Sequence, residues 1–371
     1  MSVREQLLQL KKNGWEVRII GATIFDTQNG TTRLKRHWDM MRNARHALVK
    51  IKDGPLVHNL VKTRSTVRSE MTADEEGVWY RLYTRALDRF KPDIVYFYGG
   101  RTLDLLIGDE AHSRGIAVAA YLANGNFRGT RWCRDVDLII TNSRATASMY
   151  RRQDGIDTIP LEPFVDPSKV MCRNREPAHV LAINPSLSKG GAIVAATAAR
   201  LETRRPDIKF EIVESRERWD KILTATQKQL DQPIRPLENV IKTPIQRDIR
   251  PVYARARLVL ILSLWWESLP RVAIEAILNG IPCIGTDYGG TPEAIGDAGI
   301  ILPMPKYCHS PPYNRLPDTQ TLELVANRIE DFFDNEKTRV TLENAAQQRA
   351  KAYDLDARGR RLSELFLRLS S

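Results

Sequence analysis

The feature that most restricts the fold of this chain is a strand, loop, helix and strand pattern near residue 270. Residues 258–263 (L-V-L-I-L-S) form an apolar run of the length typical of a strand buried on both faces, and residues 282–286 form a second. Between them, Pro270 suits the first position of a helix and Gly280 suits its end. Two buried strands joined by a helix predict an open parallel sheet.

Two glutamates lie at the end of this unit where such sheets bind ligands. Glu267 lies in the loop after the first strand, and Glu275 lies in the second turn of the helix. Open parallel sheets bind ligands at the carboxyl ends of their strands, and a helix N-terminus favours phosphate. Because carboxylates repel phosphate, we expect these two side chains to hold hydroxyl groups. The pattern therefore indicates a ligand with both a diphosphate and sugar hydroxyls, as in a nucleotide sugar.

Strands alternate with helices along the whole chain, which predicts a doubly wound α/β architecture. The strands expected in the first half are 16–23, 46–51, 94–99, 117–123 and 138–142. Those expected in the second half are 179–184, 209–214, 239–243, 258–263, 282–286 and 299–302. A linker near 163–167 (P-F-V-D-P) separates an expected first domain, 1–165, from a second, 168–354. An amphipathic helix at about 355–371 follows.

Composition sets the class of protein. The chain has 371 residues, of which 42% are hydrophobic and 27% charged, as expected for a globular protein of two domains. No apolar run approaches the roughly 18 residues of a membrane span, and the N-terminal residues lack the apolar core of a signal peptide. The four cysteines have neither disulfide nor metal spacing. We therefore expect a cytoplasmic protein.

The net charge of +11 is unevenly distributed. Residues 31–70 contain ten lysines and arginines against three acidic residues. This basic stretch is either a solvated face or a surface for an anionic acceptor or for lipids at the inner face of the membrane. It lacks the interleaved aromatic residues of a single-strand nucleic-acid platform, so no nucleic-acid partner is expected.

An ordered set of motifs carries a family resemblance. It consists of I-N-P-S-L-S-K-G-G (183–191), N-V-I-K-T-P-I (239–245), the Glu267 to Glu275 spacing, N-G-I-P (279–282) and G-G-T-P-E (289–293). The set resembles glycosyltransferase family 4, over about residues 90–371 and most strongly over 178–305. The resemblance implies the GT-B fold, with two Rossmann-like domains facing each other across a cleft. It also implies a retaining transfer of sugar from a nucleotide diphosphate sugar to a hydroxyl of a glycan, a lipid-linked molecule or another acceptor.

The same resemblance implies roles for individual residues. Lys189 would neutralise charge on the departing nucleotide, Glu267 would contact the transferred sugar near its anomeric carbon, and Glu275 would hold the ribose hydroxyls. Further donor-side residues would be Asn184, Thr243, Ser268, Leu269, Arg271 and Gly290. Arg101 and Asn124 follow strand ends of the first domain, and each either lines the acceptor side or belongs to a tight turn. No metal or other cofactor is expected, because Lys189, backbone N–H groups and Arg271 would meet the charge of the leaving group.

Local patterns leave simpler explanations open for some of these residues. We expect a helix over 189–201 with Ser188 as its N-cap, so that Lys189 lies in the first turn. The helix dipole disfavours an ordinary exposed lysine at that position, which favours a functional one. Glu275 is spaced to form an i,i+4 ion pair with Arg271 whether or not it binds ribose.

The chain also departs from the family pattern. The first strand and glycine-rich loop expected before residues 1–14 are not found, nor is the first domain's histidine near 119–127. Pro270 lacks the backbone N–H that a glycine would offer to phosphate, a loss for which Arg271 would compensate. Two other classes therefore stay open. One is a non-catalytic GT-B protein that binds a nucleotide sugar or a partner transferase, and the other is a nucleotide-sugar epimerase on the same fold.

Overall fold

The computed structural model describes residues 2–25, 47–99, 102–215 and 217–370. The chain divides into two compact units. The first consists of residues 1–121, 131–138 and 359–371, and the second of residues 122–130 and 139–358. Two features predicted from the sequence lie outside the described residues, namely Arg101 and positions 31–46 of the basic stretch.

The first unit contains a three-stranded sheet of order β1-β3-β2 and a parallel pair, β4 and β5. The strands are β1 (Ile19–Ala22), β2 (Leu48–Asp53), β3 (Leu56–Val61), β4 (Ile94–Tyr98) and β5 (Ala117–Leu122). The sequence analysis missed β3, which pairs antiparallel with β2. The hairpin turns at Gly54-Pro55, where Gly54 adopts the left-handed conformation at φ +56°.

Three helices of the first unit are α1 (Ser2–Lys12), α2 (Ala73–Phe90) and α3 (Thr102–His112). α2 begins with a capping box, in which Thr72 Oγ1 accepts from the Glu75 N–H and the Glu75 carboxylate accepts from the Thr72 N–H. It ends at Lys91, in the left-handed conformation. Pro92 then prevents continuation of the helix and leads the chain into β4.

The second unit contains the parallel pair β6 and β7 and a six-stranded parallel sheet. The strands are β6 (Leu138–Thr141), β7 (Ile159–Pro160), β8 (His179–Ile183), β9 (Phe210–Val213), β10 (Val240–Thr243), β11 (Ala256–Ile261), β12 (Cys283–Thr286) and β13 (Gly299–Leu302). The helices are α4 (Arg144–Asp154), α5 (Gly191–Arg204), α6 (Trp219–Gln229), α7 (Arg250–Arg255), α8 (Arg271–Leu278), α9 (Thr291–Ile295), α10 (Thr319–Asp334) and α11 (Glu336–Ala350). All six strands expected in this half are present.

The six strands are arranged in the order β10-β9-β8-β11-β12-β13. The chain moves towards one edge of the sheet from β8 and towards the other edge from β11, so the direction changes between these two neighbours. Alternate residues of each strand point to opposite faces. In β11, Leu258 and Leu260 join the core covered by α5, α6 and α10, whereas Val259 and Ile261 join the core covered by α7, α8 and α11. The doubly wound architecture expected for this half is confirmed.

The last helix, α12 (Leu355–Ser370), begins in the segment Asp354-Leu355-Asp356. The Asp354 carboxylate accepts from the N–H of Ala357 at 2.6 Å, which makes it a helix cap. Further along, Phe366 is buried and meets the rings of Trp15 and Tyr96 edge-on, at centroid distances of 5.8 and 5.2 Å. These contacts account for the assignment of residues 359–371 to the first unit.

In the described part of the basic stretch, residues 47–70, some cationic side chains are exposed to solvent and others form ion pairs within the protein. Lys50 and Lys52 are exposed on β2. Arg68, by contrast, donates to the Asp104 carboxylate at 3.2 Å. Across the part of the chain that the structure describes, no helix is both long enough and apolar enough to span a bilayer.

Candidate functional site

The point between β8 and β11 brings together the two residues that the sequence analysis singled out for catalysis. Lys189 follows β8, and Glu267 follows β11. Although 78 positions apart in the chain, they form a direct ion pair between Lys189 Nζ and Glu267 Oε1. Ser263 Oγ donates to the same oxygen at 2.8 Å. The Lys189 side chain is 30% exposed and that of Glu267 15%, so neither side chain is fully buried.

The local structure around Lys189 differs from the expected helix start. Residues Leu187–Lys189 form a 3₁₀ turn, and α5 begins at Gly191 with Gly190 as its N-cap. The helix predicted over 189–201 therefore starts two residues late, and the Ser188 N-cap is wrong. The cause is a tertiary contact. Gly190 has φ +77°, and a Cβ atom there would lie 2.0 Å from the Leu262 carbonyl oxygen.

Ser188 instead uses its backbone to join the two loops. Its carbonyl oxygen accepts from the N–H groups of Leu264 and Trp265 at 3.0 and 3.1 Å. The 3₁₀ turn is thus docked on the loop that follows β11. This docking places Lys189 beside Glu267.

Glu275 lies on α8 and is only 8% exposed. Arg271 Nε donates to Oε1, and the Tyr253 hydroxyl donates to Oε2 at 2.8 Å. The expected i,i+4 ion pair therefore forms. Burial, and secondarily the nearby Glu275 carboxylate, raises the pKa of Tyr253 well above its ordinary value, so the hydroxyl stays protonated and acts as a donor. Glu275 is held in one orientation from two sides.

The N-terminus of α8 offers hydrogen-bond donors beside this carboxylate. The helix begins at Arg271, and Pro270 is its N-cap, one position earlier than expected. The first N–H groups of a helix have no partner within it and favour an anion. Within the described residues, Ser268 Oγ has no hydrogen-bond partner, although Ser268 is only 5% exposed. Leu269 is buried in the core, so only its backbone is available to a ligand.

Asn184 has the strained backbone and unpartnered oxygen that often accompany a binding site. It adopts φ +61°, which is uncommon for a residue other than glycine. Its N–H donates to the carbonyl of Val213 at 2.9 Å, while its side-chain Oδ1 is buried without a partner among the described residues. Thr291 Oγ1, at the start of α9, is in the same state. Each of these two oxygens can still accept a hydrogen bond from a ligand group or from water.

The two glycines after β12 serve loop packing in this structure. A Cβ at Gly290 would lie 1.9 Å from the Ser268 carbonyl oxygen, and one at Gly289 would lie 2.5 Å from that of Glu267. The Gly290 N–H donates to the Glu267 carbonyl at 2.6 Å and is therefore already used. Gly290 thus fixes the backbone that carries Glu267, whereas the sequence had suggested donor binding for it.

Two other expected site residues use their side chains within the fold. Thr243 Oγ1 donates to Glu211 at 2.8 Å, at the end of β10. Asn124 Oδ1 accepts from the Asn126 N–H at 3.0 Å, which is the tight turn that the sequence had left open.

Sequence reasoning missed three contributors. Ser263 carried a weak signal, as the single polar residue closing an apolar strand, and Tyr253 carried none. The third is a group of rings next to Glu267, in which Tyr288 stacks on His309 at 3.8 Å and meets Trp266 edge-on at 5.3 Å. His309 is too distant in sequence from Trp266 for any local pattern to connect them.

Comparison with known proteins agrees with this geometry. Residues 180–307 match the family model described as "Glycosyl transferases group 1". The matched segment runs from β8 to beyond β13 and includes the Lys189 and Glu267 pair, Glu275 and Gly290. A search of curated protein sequences found no match.

Solved structures resemble the chain over nearly its whole length. A glycosyltransferase from Rickettsia africae has a TM-score of 0.72 at 13% identity, with 99% of this chain and 94% of that chain covered. Sucrose-phosphate synthase from Thermosynechococcus elongatus has a TM-score of 0.67 at 13% identity, with 99% and 92% covered. HepE from Anabaena, in complex with UDP and glucose, has a TM-score of 0.65 at 16% identity, with 97% and 94% covered. The fold is GT-B. Some of the matched structures are longer, and this chain covers 61% of the matched chain in a GtfA/B complex.

Proposed function

We propose that this protein is a glycosyltransferase that takes its sugar from a nucleotide diphosphate sugar. The observation that carries the proposal is the ion pair of Lys189 and Glu267. It lies between β8 and β11, where the strand order of the six-stranded sheet reverses, and inside the segment that matches the group 1 model. The structure of HepE with UDP and glucose supports a sugar nucleotide as the donor. Membership of family 4 and retention of anomeric configuration belong to the proposal through the sequence resemblance.

The charges at the site suggest where each part of the donor binds. The diphosphate would bind at the N-terminus of α8 beside Lys189, where Ser268 Oγ lacks a partner. The ribose hydroxyls would bind the carboxylate of Glu275, which Arg271 and Tyr253 already orient. The sugar would then lie next to Glu267. The side-chain oxygen of Asn184 would accept a further hydrogen bond from a hydroxyl of the nucleotide sugar.

Binding of the donor would rearrange the charges. In this structure, the charge of Lys189 is offset by Glu267. A diphosphate competes for Lys189 and so releases the Glu267 carboxylate towards the sugar. As the bond between the anomeric carbon and the diphosphate breaks, its electron pair passes to a phosphate oxygen, which Lys189 and the N-terminus of α8 would stabilise. Glu267 would stabilise the positive character at the anomeric carbon. The acceptor hydroxyl oxygen would form the new bond to that carbon and pass its proton to the departing phosphate oxygen.

A panel of sugar nucleotides tests this proposal, and assays with EDTA test whether the activity needs a divalent metal ion. A ligand present at about 100 times its dissociation constant should raise apparent stability by roughly 2.7 kcal/mol, which a thermal-shift assay detects. Donors that shift the melting temperature should then be hydrolysed slowly in the absence of an acceptor, equally with and without EDTA. No response to any member of the panel would contradict the function. Loss of activity in EDTA, with rescue by magnesium or manganese, would contradict metal independence.

Glu275→Gln is expected to weaken binding of UDP and of its sugar derivatives to the same extent, by about tenfold, because the partner assigned to it is the ribose common to both. Isothermal titration calorimetry measures both affinities. Glu364→Gln, an exposed glutamate of α12, is the matched control and should change neither. Weaker binding of the sugar nucleotide alone would assign Glu275 to the sugar instead.

The acceptor side is proposed from charge. The basic stretch 31–70, of which Lys50 and Lys52 are exposed in the described part, suits an anionic or lipid-linked acceptor. It would also allow peripheral contact with anionic lipids at the inner face of the membrane.

A further inference from the structure

The first turn of α4 is capped by a carboxylate that is distant from it in the sequence, that of Glu293. Glu293 Oε1 accepts from the N–H of Arg144, and Oε2 accepts from the N–H of Ala145, both at 3.0 Å. The next N–H, of Thr146, donates to Ser143 Oγ at 3.0 Å. The Glu293 side chain is only 12% exposed. A carboxylate that receives two N–H groups at a positive helix end is strongly oriented.

Glu293 is also held firmly through its own backbone. Its carbonyl oxygen accepts from Arg349, and the carbonyl of the following Ala294 accepts from the Tyr353 hydroxyl at 2.7 Å. Three residues earlier, the Gly290 N–H donates to the Glu267 carbonyl at 2.6 Å. The backbone of residues 290–293 is therefore hydrogen-bonded to α4 at one end, through Glu293, and to Glu267 at the other, through Gly290.

A second contact joins α4 to the same place. Trp266, which immediately precedes Glu267, directs its indole N–H at Thr146 Oγ1 at 3.4 Å. Trp266 also meets Tyr288, which lies just before Gly289. The first turn of α4 therefore contacts both loops whose mutual packing sets the position of Glu267.

We propose that Glu293 is a positioning residue for sugar transfer, which anchors residues 287–293 to α4 and so fixes the backbone of Glu267. The inference rests on the proposed function, because Glu267 is the group whose position matters. Glu293 itself would touch neither donor nor acceptor. Its loss should let the Glu267 loop move while leaving Glu275 and the N-terminus of α8 in place.

Kinetics separate this role from donor binding. Glutamine at position 293 keeps one acceptor oxygen. Its amide nitrogen is a donor that faces a backbone N–H group, so one of the two hydrogen bonds to α4 is lost. Glu293→Gln should therefore lower kcat by about tenfold while donor KM stays within about twofold, since small displacements of a reacting group are costly. Glu293→Ala should give a decrease of the same kind. A rise in KM with kcat unchanged would overturn the proposal.

Arg144 offers a matched pair of variants. Its side chain is 75% exposed, with Nε 3.6 Å from Glu293 Oε1, while its backbone N–H makes the shorter bond. Arg144→Pro removes that N–H at the first helical position, where proline is well tolerated and the preceding Ser143 is already extended. Arg144→Ala removes only the side chain. Arg144→Pro should reproduce part of the decrease in kcat that Glu293→Gln causes. The double variant should have a kcat close to that of Glu293→Gln alone, whereas Arg144→Ala should have the kcat of the wild type. Equal effects of the two would assign the loss to the side chain and overturn the proposal.

Hydrogen exchange tests the linkage without any assay of activity. In the unliganded protein, Glu293→Ala should speed exchange at 144–146 and also at 264–268 by about tenfold, the effect expected for loss of a charged hydrogen bond. Faster exchange at 144–146 alone would show a local helix cap and overturn the positioning role. If the wild-type protein binds no sugar nucleotide, the proposed function fails, and this exchange pattern still decides whether α4 and the Glu267 loop are linked.

Discussion

Lys189→Ala is expected to lower the rate of sugar transfer by about 1,000-fold, because it removes the lysine ammonium group that the proposed site places against the departing diphosphate. The loss should be in kcat, since charge on the leaving group grows as the bond breaks. Single-turnover kinetics with a saturating donor measures this step directly. Lys306→Ala, an exposed lysine of the same unit, is the control and should have normal activity.

The companion variant Glu267→Gln should separate chemistry from nucleotide binding. Transfer should fall by about 100-fold, because the anomeric carbon loses its negative neighbour. Binding of UDP should be maintained or become tighter, by up to about threefold, because Lys189 no longer has to leave an ion pair before it meets the diphosphate.

The double variant completes the test. Since Lys189 and Glu267 are in direct contact, the effects of the two substitutions on UDP affinity should not add. Strict additivity, or weaker UDP binding by Glu267→Gln alone, would show that the pair does not compete with the diphosphate.

Gly290→Ala is expected to destabilise the second unit by about 3 kcal/mol, as for other substitutions that overpack a tight contact. Gly290 has φ −87°, so the cost does not come from backbone conformation. It comes from the Ser268 carbonyl oxygen, which a Cβ atom would approach to 1.9 Å and which belongs to a backbone that cannot rotate away. Chemical denaturation measures the loss, and activity should decrease with it because the Glu267 loop is displaced.

The same substitution at Gly77 provides a control of opposite sign. Gly77 lies within α2, where the nearest neighbour of an added Cβ is the flexible end of Arg81 at 3.4 Å. Gly77→Ala should therefore stabilise the protein by roughly 0.5–1 kcal/mol, since alanine is the better helix former. A neutral Gly290→Ala would mean that the two loops are not in contact.

Elements whose causes are local could be predicted from the sequence. Strands β8 and β11 contain continuous apolar runs, V-L-A-I and L-V-L-I, and α8 starts directly after Pro270 and ends before Gly280. The predicted start of α5 failed because its cause is not local. Gly190 takes a left-handed conformation to fit against the Leu262 carbonyl, which is far away in the chain. β3 was missed although Asp53-Gly54 signals a turn, because no strand was assigned after that turn.

The candidate site divides in the same way. The spacing of Glu267 and Glu275, together with the order of the surrounding motifs, was sufficient to predict the GT-B fold and to nominate Lys189. Only the tertiary structure decided that Lys189 and Glu267 neutralise each other, that Gly290 holds a loop, and that Glu293 caps α4. Apolar periodicity and turn residues act over a few positions of the chain and are readable from it. Ion pairs and helix caps of this kind join loops that are far apart in the sequence. Which loops come into contact depends on how the strands and helices pack in the folded protein.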